Sequence, residues 1–190
     1  MGAVLACLLL ALAAGTNGRA LKAANTEGTY LADSIWEGLL ALGESQAYTR
    51  QAIETAELVK FLSDPDLEHT FLAMDNEAWA DLAHERGVQS AEVMVTEQPD
   101  LMEEVIRNHL LEKPHFTSFW PPYGGRKPVE TLLENRFVGL RTDINGDHEV
   151  VGYVFESELS PNPANKNLVV GGSVMHVVHD MNLLQNRFTI

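Results

Sequence analysis

Apolar residues recur at helical spacing along the first half of the chain. After Ser34, isoleucine, tryptophan and leucine side chains predict a short helix that Ser34 caps and Gly43 ends. A second helix is predicted over residues 46–62, where alanine, isoleucine, valine and leucine repeat every three or four positions. Another is predicted to begin near Pro99, with an apolar stripe that includes His109.

Beyond Pro114 the pattern changes to short β-branched or aromatic runs between turn residues, which is typical of strands. Asn145-Gly146 predicts a hairpin turn, because both residue types tolerate a positive φ. Helices therefore come first and most strands later, which indicates an α+β fold. The predicted strands cover residues 130–133, 136–142, 149–155, 168–170 and 173–178.

One segment of the first half carries the most local information. An apolar run that includes Phe71 predicts a buried strand, and Asp75 or Asn76 follows it as the cap of a helix. Glu77 places a carboxylate at the positive end of that helix. Trp79 lies on the predicted inner face, so the segment is expected to be a strand that leads directly into a helix.

This segment, Leu72-Ala-Met-Asp-Asn-Glu-Ala-Trp79, resembles the signature of fasciclin-type domains, in which Phe-Ala-Pro-Thr ends a strand and Asn-Glu-Ala-Phe opens a helix. Asn108-His109 stands where that family has Tyr-His, and the segment from His176 to Asp180 stands where it has His-Val-Ile-Asp. The resemblance implies a β-wedge or sandwich flanked by helices. It also implies a structural role for His109.

The chain opens with an unbroken apolar run from Ala3 to Ala14. The run is shorter than the roughly 20 residues that cross a membrane, and it predicts a signal peptide at residues 1–20. No Lys or Arg precedes the run, so an uncleaved N-terminal anchor is the alternative. A loose segment is predicted over residues 21–33, and a single fasciclin-like domain over residues 34–186.

Charge and cysteine content narrow the classes of partner. The 190 residues include 27 acidic and 13 basic ones, and a net charge of −14 disfavours binding to nucleic acid or anionic lipid. Calcium, basic proteins or an acidic medium would suit that charge. The only cysteine, Cys7, lies in the predicted signal peptide, so the mature protein is predicted to have no disulfide and no cysteine nucleophile.

The loop over residues 116–127 combines aromatic residues, prolines and two adjacent cations on an acidic protein. Rigid aromatic loops make good interaction anchors, so this loop is the candidate binding surface. The alternative is that its two adjacent aromatic residues fill the core while the prolines shape a turn. The candidate binding residues are Phe119, Trp120, Tyr123, Arg126 and Lys127.

Metal binding and cofactors are not predicted. His176 and His179 would point to opposite faces of a strand, and no third ligand accompanies them. Residues 143–147 begin like a calcium loop, but His148 replaces the required glycine, and a hairpin turn explains the segment better. His109 could titrate in a cleft, although a core histidine hydrogen-bonded to backbone is the preferred interpretation.

Function is predicted from the resemblance, because no nucleophile elbow or phosphate loop is present. It implies a secreted, non-enzymatic adhesion or extracellular-matrix module. Such a module would bind extracellular proteins, receptors or glycans through surface loops. The alternative is a small-ligand carrier or a hydrolytic enzyme with a pocket between helices and sheet. The sequence leaves the oligomeric state open.

Overall fold

The computed structural model of the protein describes residues 28–152 and 155–183. The predicted signal peptide, with Cys7, lies outside the described residues. Within the described ranges, every helix is too short or too polar to cross a membrane.

Six α-helices occupy the first part of the described chain. The first begins at Ser34, whose Oγ accepts a hydrogen bond from the Glu37 amide at 3.2 Å, as the sequence predicts. Three short 3₁₀ turns lie at Gly43–Gln46, Thr117–Phe119 and Pro163–Asn165. The helices are α1 (Ile35–Ala41), α2 (Ala47–Thr55), α3 (Val59–Leu62), α4 (Asn76–Glu85), α5 (Ala91–Glu97) and α6 (Pro99–Asn108).

Nine strands form one sheet in the described ranges. They are β1 (Thr29–Ala32), β2 (His69–Met74), β3 (Leu110–Glu112), β4 (Lys127–Glu130), β5 (Phe137–Thr142), β6 (His148–Val151), β7 (Phe155–Leu159), β8 (Leu168–Val170) and β9 (Ser173–Leu183). Their order is β1-β8-β9-β7-β6-β5-β4, and β2 pairs with β9 in parallel and with β3 in antiparallel fashion. The long strand β9 therefore joins the two parts of the sheet.

The sheet curls back on itself where β3 meets the end of β4. Leu111 forms an antiparallel bridge with Thr131, and the Leu132 amide donates to the Leu110 carbonyl oxygen at 2.8 Å. This closure gives the wedge-like architecture that the resemblance implies. It also places the turn after β4 beside the acidic end of β3.

Helices and sheet share one hydrophobic core. Phe71, Leu72 and Trp79 are all buried in it, together with side chains from α1, α2 and α6. The Trp79 indole nitrogen donates to Thr49 Oγ1 at 2.7 Å, which satisfies its polar atom inside that core. The predicted α+β fold class is confirmed.

The prediction of a loose segment over residues 21–33 is wrong for its last part. Residues 29–32 form β1, which pairs in parallel with β8. The small polar residues that surround Tyr30 and Leu31 favoured a loose segment, whereas this strand is stabilised by a distant partner. The Gly171 amide also donates to the Ala32 carbonyl oxygen at 2.9 Å, beyond the paired register.

The predicted helix over residues 46–62 is two helices, α2 and α3. Glu57 lies between them with a φ of 57°, a left-handed conformation that interrupts a helix. The sequence also gave no prediction for α5, although Ser90 caps it by accepting from the Val93 amide at 3.2 Å.

One strand prediction is misplaced, and another covers parts of two strands. The strand placed at residues 130–133 is β4, which ends at Glu130 and contains Pro128. Proline argues against a strand interior, but β4 lies at the end of the strand order, where a missing N–H is tolerated. The strand predicted over residues 149–155 covers most of β6, which ends at Val151, and the first residue of β7, Phe155, and these two strands pair in antiparallel fashion.

Candidate interaction surface

Asp75 caps α4 and connects that helix to β9. One carboxylate oxygen accepts from the Glu77 and Ala78 amides, both at 3.0 Å, as the sequence predicts for a capping residue. The other lies 2.7 Å from His179 Nδ1. Hydrogen bonding to Asp75 is the main cause that raises the pKa of His179. Both carboxylate oxygens of Asp75 therefore have partners within the fold, one in α4 and one in β9.

Asn76 connects the start of α4 to the preceding helices. Its side-chain amide nitrogen donates to the Glu44 carbonyl oxygen at 2.8 Å, and its oxygen accepts from the Tyr48 amide at 3.2 Å. Asp75 is thus the cap, and Asn76 holds the helix against the segment that begins α2.

His109 lies at the C-terminal end of α6 and is fully buried. Its Nδ1 lies 2.8 Å from the Val105 carbonyl oxygen, to which it donates. Burial lowers the pKa of His109 to about 4, so the ring is neutral at pH 7. These contacts support the structural role that the resemblance implies.

His176 has a similarly fixed environment in β9. Its Nδ1 accepts from the Asn167 amide at 3.1 Å, and its Nε2 donates to the His115 carbonyl oxygen at 2.8 Å. Burial lowers its pKa to about 4. His179 is only partly buried and its Nδ1 contacts Asp75, whereas both nitrogens of His176 are bonded to residues 115 and 167, so the two histidines have separate partners.

Asp180 lies near the solvent side of the seam between β9 and α4. Burial, followed by repulsion from the Asp180 carboxylate, raises the pKa of Asp81 on the helix. The residues of the signature and of the His176 segment thus build the seam between helix and sheet.

Trp120 belongs to the core. Only 6% of it is exposed, and its ring contacts those of His148 and His176 edge-on, with centroids 5.4 and 5.7 Å apart. Its assignment to an exposed binding surface is therefore wrong. Phe119 is 64% exposed, so the alternative that both aromatic residues fill the core holds for Trp120 alone. The chain leaves its 3₁₀ turn in an extended conformation at Trp120, which turns the two neighbouring rings to different sides.

Lys127 begins β4 and is half-buried. Its Nζ lies 3.4 Å from His115 Nδ1. Burial lowers the pKa of His115, and the Lys127 charge lowers it further. The Lys127 ammonium group therefore lies beside the His115 ring, and Lys127 does not line the cleft described next.

Two loops at the strand-rich end form a cleft of about 320 Å³. One wall comes from residues 123–126, which precede β4, and the other from residues 141–144, which end β5 and begin the β5–β6 turn. We call it the Tyr123 cleft. Tyr123 is 67% exposed and Ile144 is 74% exposed, so a large apolar side chain from each loop faces solvent at this cleft.

Hydrogen bonds fix the turn that presents Ile144. The Asp143 carboxylate accepts from the Asn145 and Asp147 amides, both at 2.8 Å, and Gly146 takes a φ of 92°. The predicted hairpin at this position is confirmed. Asp143 stands where a calcium loop would have its first ligand, but its Oδ1 accepts hydrogen bonds from the amides of its own turn.

Two arginines line the cleft, and they differ in whether a carboxylate pairs with the guanidinium group. Arg141 forms ion pairs with both Glu149 and Glu156. Arg126 lies across Gly139, where an added Cβ would come within 1.9 Å of its Nε, and its Nη2 donates to the Val151 carbonyl oxygen at 2.8 Å. In residues 28–152 and 155–183, no carboxylate lies within ion-pair distance of Arg126.

Comparison with known proteins identifies the fold. The sequence matches no family profile and no curated protein. The structure is similar to a pair of FAS1 domains from the insect cell adhesion molecule fasciclin I, with a TM-score of 0.59 and 11% sequence identity. The match covers 77% of this chain and 49% of the solved chain, so the protein spans about half the length of that domain pair. The chain has a fasciclin-type fold.

Within this fasciclin-type fold, the structure brings together only part of the predicted surface. Of the five candidate binding residues, Tyr123 and Arg126 line the Tyr123 cleft. Arg141 and Ile144 were not predicted. The only sequence signal for Ile144 was that a large apolar residue stands inside a polar turn. A residue at such a position is not expected to be buried in the core, so another role has to account for it.

Proposed function

We propose that the protein is a secreted interaction module for cell adhesion or the extracellular matrix, which binds a protein or glycan through the Tyr123 cleft. One observation carries this proposal: Ile144 and Tyr123, the two most exposed large apolar side chains in the described ranges, line the same cleft although they come from different loops. Exposed aromatic and apolar side chains beside an arginine are typical of interface hot spots.

The fold and the composition agree with this proposal. Fasciclin I, which has a similar fold, is a cell adhesion molecule. The signal peptide predicted at residues 1–20 would direct the chain to the cell exterior. Secretion makes extracellular proteins, receptors and glycans the accessible partners.

The polar residues at the junction of helices and sheet form hydrogen bonds within the fold, as expected when these residues hold a binding module together. Asp75 and His176 use both of their side-chain polar atoms in hydrogen bonds within the fold, and His109 uses its Nδ1. Side chains from helices and sheet share one core cluster at the place where a carrier or hydrolase would need its pocket. Nothing in the described part of the chain specifically favours that alternative.

Binding of the labelled protein to cells and matrix of its own source would test the proposal. We expect the double variant Tyr123→Ala/Ile144→Ser to lose at least about tenfold in affinity, because two hot-spot side chains together exceed about 1.4 kcal/mol. A matched control, Leu40→Ala/Phe119→Ala, removes two exposed apolar side chains that do not line the cleft.

Flow cytometry and matrix-coated biosensors would give the affinities, and thermal unfolding would show that both variants fold. Equal binding by the cleft variant and the wild type would contradict the proposal. An equal loss in the control variant would also contradict it, because the effect would then belong to exposed apolar surface in general.

A further inference from the structure

We infer that the Tyr123 cleft receives a peptide segment of its partner in which a carboxylate lies beside a large apolar side chain, and that Arg126 binds the carboxylate. This inference rests on the proposed function and specifies the chemistry of the partner. Arg126 lines the same cleft as the exposed side chains of Tyr123 and Ile144, which supports it.

Arg126 is the cation of the cleft that remains available to a ligand. A guanidinium has five N–H donors, and the Val151 carbonyl oxygen takes a hydrogen bond from Nη2 at 2.8 Å. This bond and the contact across Gly139 hold the side chain in place while leaving donors for a carboxylate. A planar guanidinium held in this way suits two parallel hydrogen bonds to a carboxylate.

The other charged groups of the cleft are already compensated. Arg141 is paired with Glu149 and Glu156, and the Asp143 carboxylate accepts hydrogen bonds from the amides of its own turn. Arg126 thus determines which charge the cleft selects. A protein with a net charge of −14 has a cation without a carboxylate partner, among its described residues, at the place where it exposes Tyr123 and Ile144.

The size and surroundings of the cleft favour a peptide over an acidic glycan. A volume of about 320 Å³ is at the lower end of ligand pockets and suits one large side chain with its neighbour. A sulfated glycan would bring many negative charges to a strongly acidic protein, and one guanidinium does not offset that repulsion. A peptide that carries one carboxylate avoids this cost.

A random dodecapeptide library displayed on phage and selected on the full-length protein would test this inference. We expect the wild type to enrich sequences with Asp or Glu next to Leu, Ile, Phe or Tyr. Synthetic peptides with those sequences should bind Arg126→Gln at least about tenfold more weakly, since each factor of ten corresponds to about 1.4 kcal/mol and charge-assisted hydrogen bonds reach that size.

A matched peptide with Asn or Gln in place of the acid should show the same loss on the wild type and little further loss on Arg126→Gln. Gly139→Ala should also weaken binding, because the new Cβ displaces the Arg126 side chain without removing its charge. Circular dichroism would confirm that each variant folds.

Several results would overturn the inference: no enrichment, enrichment of acid-free sequences, or equal affinity of the acid and amide peptides. Binding of a heparin oligosaccharide that depends on Arg126, without peptide binding, would also overturn it. If Arg126→Gln keeps full binding to cells while Tyr123→Ala/Ile144→Ser loses it, the inference fails and the proposed function stands. If neither variant loses binding to cells, both fail.

Discussion

At the scale of single residues, the buried side chains of His109 and His176 make the stability of the fold depend on pH. Burial lowers the pKa of both His109 and His176 to about 4, whereas an unfolded chain has a histidine pKa near 6.5. Below pH 6.5 the unfolded chain therefore binds more protons, and the stability that each neutral ring provides is lost as the pH falls. Linkage puts this loss at about 2 kcal/mol per histidine at pH 5.

His109→Ala tests the structural role of this residue. At pH 7 we expect a loss of about 1 to 3 kcal/mol in the free energy of unfolding, because the Val105 carbonyl oxygen loses its buried donor. Urea denaturation would measure the loss. An unchanged free energy of unfolding at pH 7 would contradict the structural role.

The same variant gives a second prediction when the pH is lowered. At pH 5 the wild type bears the cost of keeping His109 neutral and the variant does not, so the difference between them should shrink by about 2 kcal/mol. His179 acts in the opposite direction, since a raised pKa gives stability that is lost as the pH rises. It is common to both proteins and cancels in the comparison. A difference that grows on acidification would contradict this account.

Local chemistry made some residues predictable. Asp75 could be identified as a cap because capping depends on amides two and three positions ahead in the chain. The cleft could not be predicted, because Tyr123 and Ile144 meet only through the register of β4 with β5. Trp120 and Phe119 are adjacent and chemically alike, yet only the conformation of their turn determines which one is buried.

At the scale of elements, Asp75 has two separable roles at the junction of α4 and β9. Asp75→Ala should cost about 1 kcal/mol through loss of the helix cap, with a further loss through the His179 contact. Asp75→Asn should keep the cap, since asparagine caps as well as aspartate, and lose only the charge.

The pH dependence distinguishes the two roles. The ion pair is fully present below the unfolded pKa of histidine and is lost as the pH rises through the raised pKa of His179. The difference between wild type and Asp75→Asn should therefore be larger at pH 6 than at pH 9, while the difference between Asn and Ala should stay constant. Chemical denaturation at both values would measure this. A constant difference between wild type and Asp75→Asn would contradict the ion pair.

The loop before β4 provides a second test at this scale. Trp120→Ala should destabilise the protein by about 3 to 5 kcal/mol, because it leaves a cavity between the His148 and His176 rings. Phe119→Ala should change stability by less than about 0.5 kcal/mol, because that side chain is exposed. Similar melting temperatures for the two variants would contradict the division of this loop between core and surface.

The elements that the sequence predicted best are those with local signals. Strand β2, the start of α4 and the β5–β6 turn each carry a cap or turn residue at the boundary. Strand β1 had no such signal and depends on pairing with β8, far along the chain. The break between α2 and α3 was missed because Glu57 adopts a left-handed conformation that its residue type rarely takes.

At the scale of the whole molecule, framework and surface are separate. The fasciclin-type motifs lie where β2 and β9 pair and where α4 packs on β9, so they determine the fold even at 11% identity to fasciclin I. The proposed partner site lies at the other end of the sheet, in loops that those motifs do not include. Resemblance therefore predicted the architecture, and only the folded chain brought the Tyr123 cleft together.

The most direct test of the central claim is photocrosslinking from the cleft. A photoreactive benzoylphenylalanine in place of Ile144 should form a covalent adduct with a partner on intact cells or matrix. The same residue in place of Leu40, which is exposed on α1, should not. An adduct from position 144 that disappears in the Tyr123→Ala background is the result that we predict. Crosslinking from position 40 alone, or from neither position on cells that bind the protein, would contradict the claim that this cleft is the binding surface.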